Sequence, residues 1–71
     1  MQMNAQMAIP IKTINSIESL MRQGQFLKAV EQAAQSLKKF PNDFAVWNLL
    51  GISAAQMGKM DLAKNAFEAS I

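Results

Sequence analysis

The chain has 71 residues, seven Lys plus Arg against five Asp plus Glu, no cysteine and no histidine. That length permits one small domain with a small core, and without Cys or His the disulfide route and the usual zinc, haem and nucleophile–imidazole constellations are absent. The charge balance is too mild to argue for nucleic acid, and no apolar run approaches the length needed to cross a bilayer.

Residues 1–9 mix Met, Gln, Asn and Ala without turn signals and read as a loose or partly helical lead. They lack the basic start and continuous apolar core of a signal peptide, so cytoplasmic residence is the expectation. Pro10 suits a first helical turn, where its missing N–H has no partner to lose. From Ile11 onward Ile14, Ile17, Leu20 and Met21 recur at three- and four-residue steps, the period of a helix. Gly24 is placed to close it in a left-handed conformation.

A second helix is predicted from about residue 25 to 39, with Phe26, Ala29, Val30, Ala33, Leu37 and Phe40 on its apolar side. Its interior has neither Gly nor Pro, and Ala, Lys and Gln all favour helix. Lys38 and Lys39 fall in the last turn, where cations favour the negative end of the helix dipole, so they read as a solvated helix end. Pro41 ends the segment, and Asn42 or Asp43 offers an N-cap for the next one.

Trp47, Leu50, Gly51 and Ala54 then set an aromatic, a large and two small residues on one face of a third, amphipathic helix. After Gly58 a fourth begins, with Leu62, Ala63, Ala66, Phe67 and Ser70 on one side and Asp61, Lys64 and Glu68 largely on the other. Short side chains at Gly51, Ala54 and Ala63 let the two backbones approach, and Trp47 and Phe67 are expected to fill the core beside them. Six methionines suggest an adaptable surface, but Met1, Met3 and Met7 lie in the lead while Met57 and Met60 flank a turn, so no contiguous methionine face follows.

A period is also present. Gly24 and Gly58 lie thirty-four residues apart, as do Ala29 and Ala63, Ser36 and Ser70, and Leu37 and Ile71. The order Trp47, Leu50, Gly51, Gly58, Ala63 and Phe67 resembles the tetratricopeptide repeat, a helix–turn–helix unit of that same length. With Trp47 at the fourth place of the repeat, the other five fall on the family's leucine, glycines, alanine and aromatic. Ala54 stands at the tyrosine place, and Ser70 at the second small-residue place.

The resemblance implies an all-α fold of about four helices in antiparallel helix–turn–helix repeats, an α-solenoid fragment. It divides the chain into the lead 1–9, a first repeat 10–43 and a second repeat 44–71. The first is degenerate, with Thr13, Ser16 and Ile17 in place of the large residue, leucine and glycine, and Ala33 in place of the aromatic. The second stops at Ile71, before its final turn and before a helix that would solvate its outer face. Such arrays normally need polar caps and about three units. The expectation is therefore a piece of a longer array, or self-association in which Leu62, Phe67 and Ile71 meet another chain.

In that family the first helix of each repeat lines a concave face. Here those helices bring Ile11, Ile14, Asn15, Glu18, Met21 and Arg22 together with Ala45, Asn48, Leu49, Ile52, Ala55 and Gln56. The resemblance implies a peptide groove at Ile14, Asn15, Glu18, Arg22, Asn48, Leu49, Ile52 and Gln56. Apolar members would receive apolar side chains, and the amides would hydrogen-bond a peptide backbone. Each apolar residue has an alternative role in packing against a neighbouring helix, and each amide has one as a solvated surface group.

Two specialised versions of the groove are unsupported. Chaperone-binding members hold a C-terminal carboxylate with lysine and asparagine, whereas this chain has Ile14, Glu18 and Leu49 at those places, and Glu18 repels a carboxylate. The asparagine ladder of sugar-transferase relatives is out of step, with Asn48 directly after Trp47 and Leu49 next.

Function is expected to be a non-catalytic scaffold that binds a protein or peptide, with no catalytic residue, cofactor or metal, and with no nucleic-acid or membrane partner. Arg22 is the only basic residue among the groove positions. The alternatives are an N-terminal repeat module of a larger bacterial enzyme, such as a sulfotransferase or glycosyltransferase, and a self-assembling structural unit. The string from Gly24 to Gly51 is similar in style to the start of such enzymes.

Overall fold

The computed structural model describes residues 11–71; the expected lead, residues 1–9, and Pro10 lie outside the described residues. Four helices follow in chain order: α1 (Ile11–Arg22), α2 (Phe26–Lys39), α3 (Phe44–Gln56) and α4 (Met60–Ala69). There is no strand among the described residues, so the fold is all-α.

The turns are built by local chemistry. Gly24 has φ +76°, a conformation that costs an L side chain about 1–2 kcal/mol, so glycine belongs there. Its N–H donates to the Met21 carbonyl at 3.0 Å, and the Gln25 N–H donates to the Leu20 carbonyl at 2.9 Å. Those two bonds are the Schellman closure of a helix. Gly58 repeats it: φ is again +76°, with bonds of 3.0 Å to the Ala55 carbonyl and, from the Lys59 N–H, 2.9 Å to Ala54. The two hairpin turns thus agree bond for bond at positions thirty-four residues apart.

Between the hairpins the chain uses a side-chain cap. Asp43, not Asn42, stands at the N-cap of α3, and its Oδ1 accepts from the Val46 N–H at 3.1 Å. The carboxylate satisfies one exposed donor of the first turn and also lies at the positive end of the helix dipole. Pro41 adds a second tie through its carbonyl, which accepts from the Trp47 Nε1–H at 2.7 Å.

Helix α3 is central. It packs against α1, α2 and α4, whereas α4 packs on α3 alone among the described helices. Val46, Leu50, Gly51, Ser53 and Ala54 are buried on one side of the cylinder, and Phe44, Ala45, Asn48, Ile52 and Gln56 are exposed on the other. The helix is two-faced in burial as expected, but its exposed side carries Phe44, Ala45 and Ile52, so the contrast in polarity between the two sides is weak.

The core is Ile17 from α1, Ala29, Ala33 and Leu37 from α2, Val46 and Leu50 from α3, and Ala66 from α4. Ala54 and Ala63 are buried as well. Trp47 and Phe67, expected as core residues, are only half-buried at its edge. Trp47 rests on the core with its indole N–H turned to the Pro41 carbonyl, which keeps the polar edge of the ring bonded. Leu62, assigned to the apolar side of α4, is exposed instead.

The Phe67 ring packs closely against Gly51. A Cβ built on Gly51 would stand 2.6 Å from both Cδ1 and Cε1 of the Phe67 ring, closer than carbon atoms approach without displacement. The α3–α4 contact therefore depends on a missing side chain on one helix and a ring on the other. Gly51→Ala should destabilise the fold by about 1–3 kcal/mol through overpacking. In a Phe67→Leu background the same change should cost much less, because the ring is gone and Ala gains about 1 kcal/mol in helix propensity. A double-mutant cycle by chemical denaturation checks this; additive effects would separate Gly51 from Phe67 energetically.

Ser53 is the one buried polar residue of the described core, and its Oγ has no hydrogen-bond partner among the described residues. An unpaired buried hydroxyl costs about 1–3 kcal/mol. Ser53→Ala keeps the backbone and removes that group, so the melting temperature should rise; a fall would show that the hydroxyl is bonded in solution.

Candidate groove between the first and third helices

Helices α1 and α3 lie side by side, and four residues meet in an open pocket of about 270 Å³: Glu18, Met21 and Arg22 from α1 and Leu49 from α3. The helical period explains the grouping. Glu18, Met21 and Arg22 are three and four residues apart and so share one face of α1. Leu49 comes from the neighbouring helix and supplies the apolar side of the pocket together with Met21.

The eight sequence-predicted residues separate into distinct settings. Glu18, Arg22 and Leu49 line the pocket. Ile14 is half-buried and packs on the core, as do Met21 and Leu49 on their inner sides, so for Ile14 the packing role is the observed one. Asn48, Ile52 and Gln56 are exposed along α3 at four-residue steps, forming a stripe on one face of the helix. Asn15 is exposed and is not among the residues that line the pocket.

Met21 stands outside the predicted set of eight but lines the pocket. Its signal was present in the spacing, since Glu18, Met21 and Arg22 fall on one turn. It was outweighed by the apolar period from Ile14 to Met21, which reads equally as core. Of the flanking small residues, Ala45 is exposed and Ala55 half-buried, while Ile11 at the start of α1 is exposed.

Chemically the pocket is a small apolar hollow with a carboxylate and a guanidinium one helical turn apart on the same wall. Its volume lies just below the lower end of ordinary ligand pockets, about 300 Å³. That is room for one or two side chains and little more. Arg22 also occupies the last turn of α1, where its charge complements the helix dipole, so it has a structural reason to be present in addition to any contact it makes. The mixed charge disfavours a ligand of a single sign, and Glu18 opposes a carboxylate.

Among the described residues no three His, Cys, Asp or Glu side chains converge as metal ligands would, and no helix is long and apolar enough to cross a membrane. No family model, curated protein or solved structure matches this chain.

Proposed function

We propose that the chain is a cytoplasmic, non-catalytic interaction module of the tetratricopeptide type that binds a peptide or a neighbouring protein segment along the α1–α3 groove. The observation that carries this reading is the pocket at Glu18, Met21, Arg22 and Leu49, continued by the exposed stripe Asn48, Ile52 and Gln56. Equal Schellman turns at Gly24 and Gly58 support the repeat assignment, because a helix–turn–helix unit used twice needs the same closure twice.

The groove chemistry defines the ligand. One apolar side chain enters between Met21 and Leu49, and the amides of Asn48 and Gln56 donate to and accept from the peptide backbone. A basic group on one side of the apolar anchor faces Glu18, and an acidic side chain on the other faces Arg22. The anchor gives affinity, and the two charges set direction along the groove.

The test is a titration of the isotopically labelled chain with short peptides carrying one Leu or Phe between a Lys and a Glu, read by amide chemical shifts. Shifts are expected at Met21, Arg22, Leu49 and Gln56. Arg22→Glu and Ile52→Glu change exposed side chains and should leave the fold intact while weakening binding at least about tenfold, or ~1.4 kcal/mol. Peptides that bind both variants as well as the parent, or that shift residues elsewhere, would falsify the groove reading.

A further inference from the structure

Met21 stands in two environments at once. Its half-buried side chain packs on the core cluster and also lines the open pocket between α1 and α3. Two of the four lining residues, Glu18 and Arg22, are charged, so the apolar character of the pocket rests on Met21 and Leu49. Of those two only Met21 carries sulfur. The same place in the second hairpin, thirty-four residues on, is Ala55, which has no oxidisable group.

A thioether is soft and polarisable, and it is the atom of methionine that oxidants attack. In a hollow of about 270 Å³ that opens to solvent, a molecule as small as hydrogen peroxide has room to reach it. A sulfur lone pair attacks one peroxide oxygen, and the S–O bond forms as the O–O bond breaks. The sulfur gives up an electron pair, and the departing hydroxide takes the remaining proton and leaves as water. The product sulfoxide is a polar, chiral group where an apolar one had been.

We propose that oxidation of Met21 to the sulfoxide switches off the α1–α3 groove and that its reduction restores it. This rests on the reading of the groove as a site for one apolar anchor. After oxidation the anchor must displace water from an S–O dipole on one wall, a cost that Leu49 on the other wall does not offset. Among the lining residues only Arg22 offers a side-chain hydrogen-bond donor. A sulfoxide oxygen that bonds to Arg22 takes the partner assigned to the acidic group of the ligand. The other described sulfurs lack this coupling: Met57 caps α3, Met60 opens α4 and is 62% exposed, and neither lines the pocket.

The experiment treats the 71-residue chain with graded hydrogen peroxide. Trypsin leaves Met21 on fragment 13–22, Met57 on 40–59, Met60 on 60–64 and the methionines of the lead on 1–12, so mass spectrometry reads these sites apart. At each stage the affinity for a peptide with one Leu between a Lys and a Glu is measured, and helicity is recorded by circular dichroism. Affinity is expected to fall at least about tenfold in step with oxidation at Met21, with helicity unchanged, and to return after methionine sulfoxide reductase. Met21→Leu, compared with itself before and after peroxide, should show no change. Met57→Leu combined with Met60→Leu should respond as the parent does.

Binding that survives full oxidation of Met21 overturns the switch and leaves the groove reading standing. A peroxide response shared by Met21→Leu, or a loss of binding that follows a loss of helicity, overturns it as well. A parent chain that binds none of the peptides before oxidation overturns the groove reading and the switch together.

Discussion

The contact of the Phe67 ring with Gly51 sets the distance between α3 and α4, and the arrangement of the second hairpin follows from it. A glycine in a helix interior costs about 1 kcal/mol relative to alanine, so its place in the middle of α3 needs a compensating gain. The gain is close approach: a ring lies where a side chain would be, and Ala63 and Ala66 come within the buried region behind it. In the first hairpin the geometry is met differently. Ile17 stands at the position of Gly51 and is fully buried, and Ala33 stands at the position of Phe67. Large and small have changed helices, and the total filling of the interhelix space is kept.

That exchange explains why a chain this short has a core at all. Its buried set is dominated by alanine and by single branched residues, with the aromatics Trp47 and Phe67 at the boundary. Such a core gains its stability from close packing more than from large apolar areas, since contacts between short side chains are numerous and at short range. It is also sensitive to volume. The central α3, touched by three helices, has few positions where a larger side chain finds room.

The same central position creates the groove. Because α3 is shared between the two hairpins, α1 is drawn alongside it, and the faces of the two helices that point away from α2 and α4 stay open. Glu18, Arg22 and Leu49 meet there for a reason of tertiary arrangement and not of local sequence. Their separation along the chain, about thirty residues between Glu18 and Leu49, carries no signal that they are neighbours.

From the residues alone, the four helices, their order and their punctuation were legible. Gly24 and Gly58 act through their own backbone geometry, so local chemistry determined the turns, while the α3 cap was narrowed to Asn42 or Asp43 and the structure selects Asp43. The groove was legible in part: the period placed Glu18 and Arg22 on one turn, but it could not separate Ile14, which packs inward, from Leu49, which also lines the pocket. What the tertiary structure decided was burial. Whether an apolar residue is core depends on how many helices surround it, and a period reports only which face it occupies. Hence Trp47, Phe67 and Leu62 are more exposed than their pattern implies, while Val46 and Ser53, which lie off the expected stripe, are wholly enclosed because α3 has neighbours on three sides.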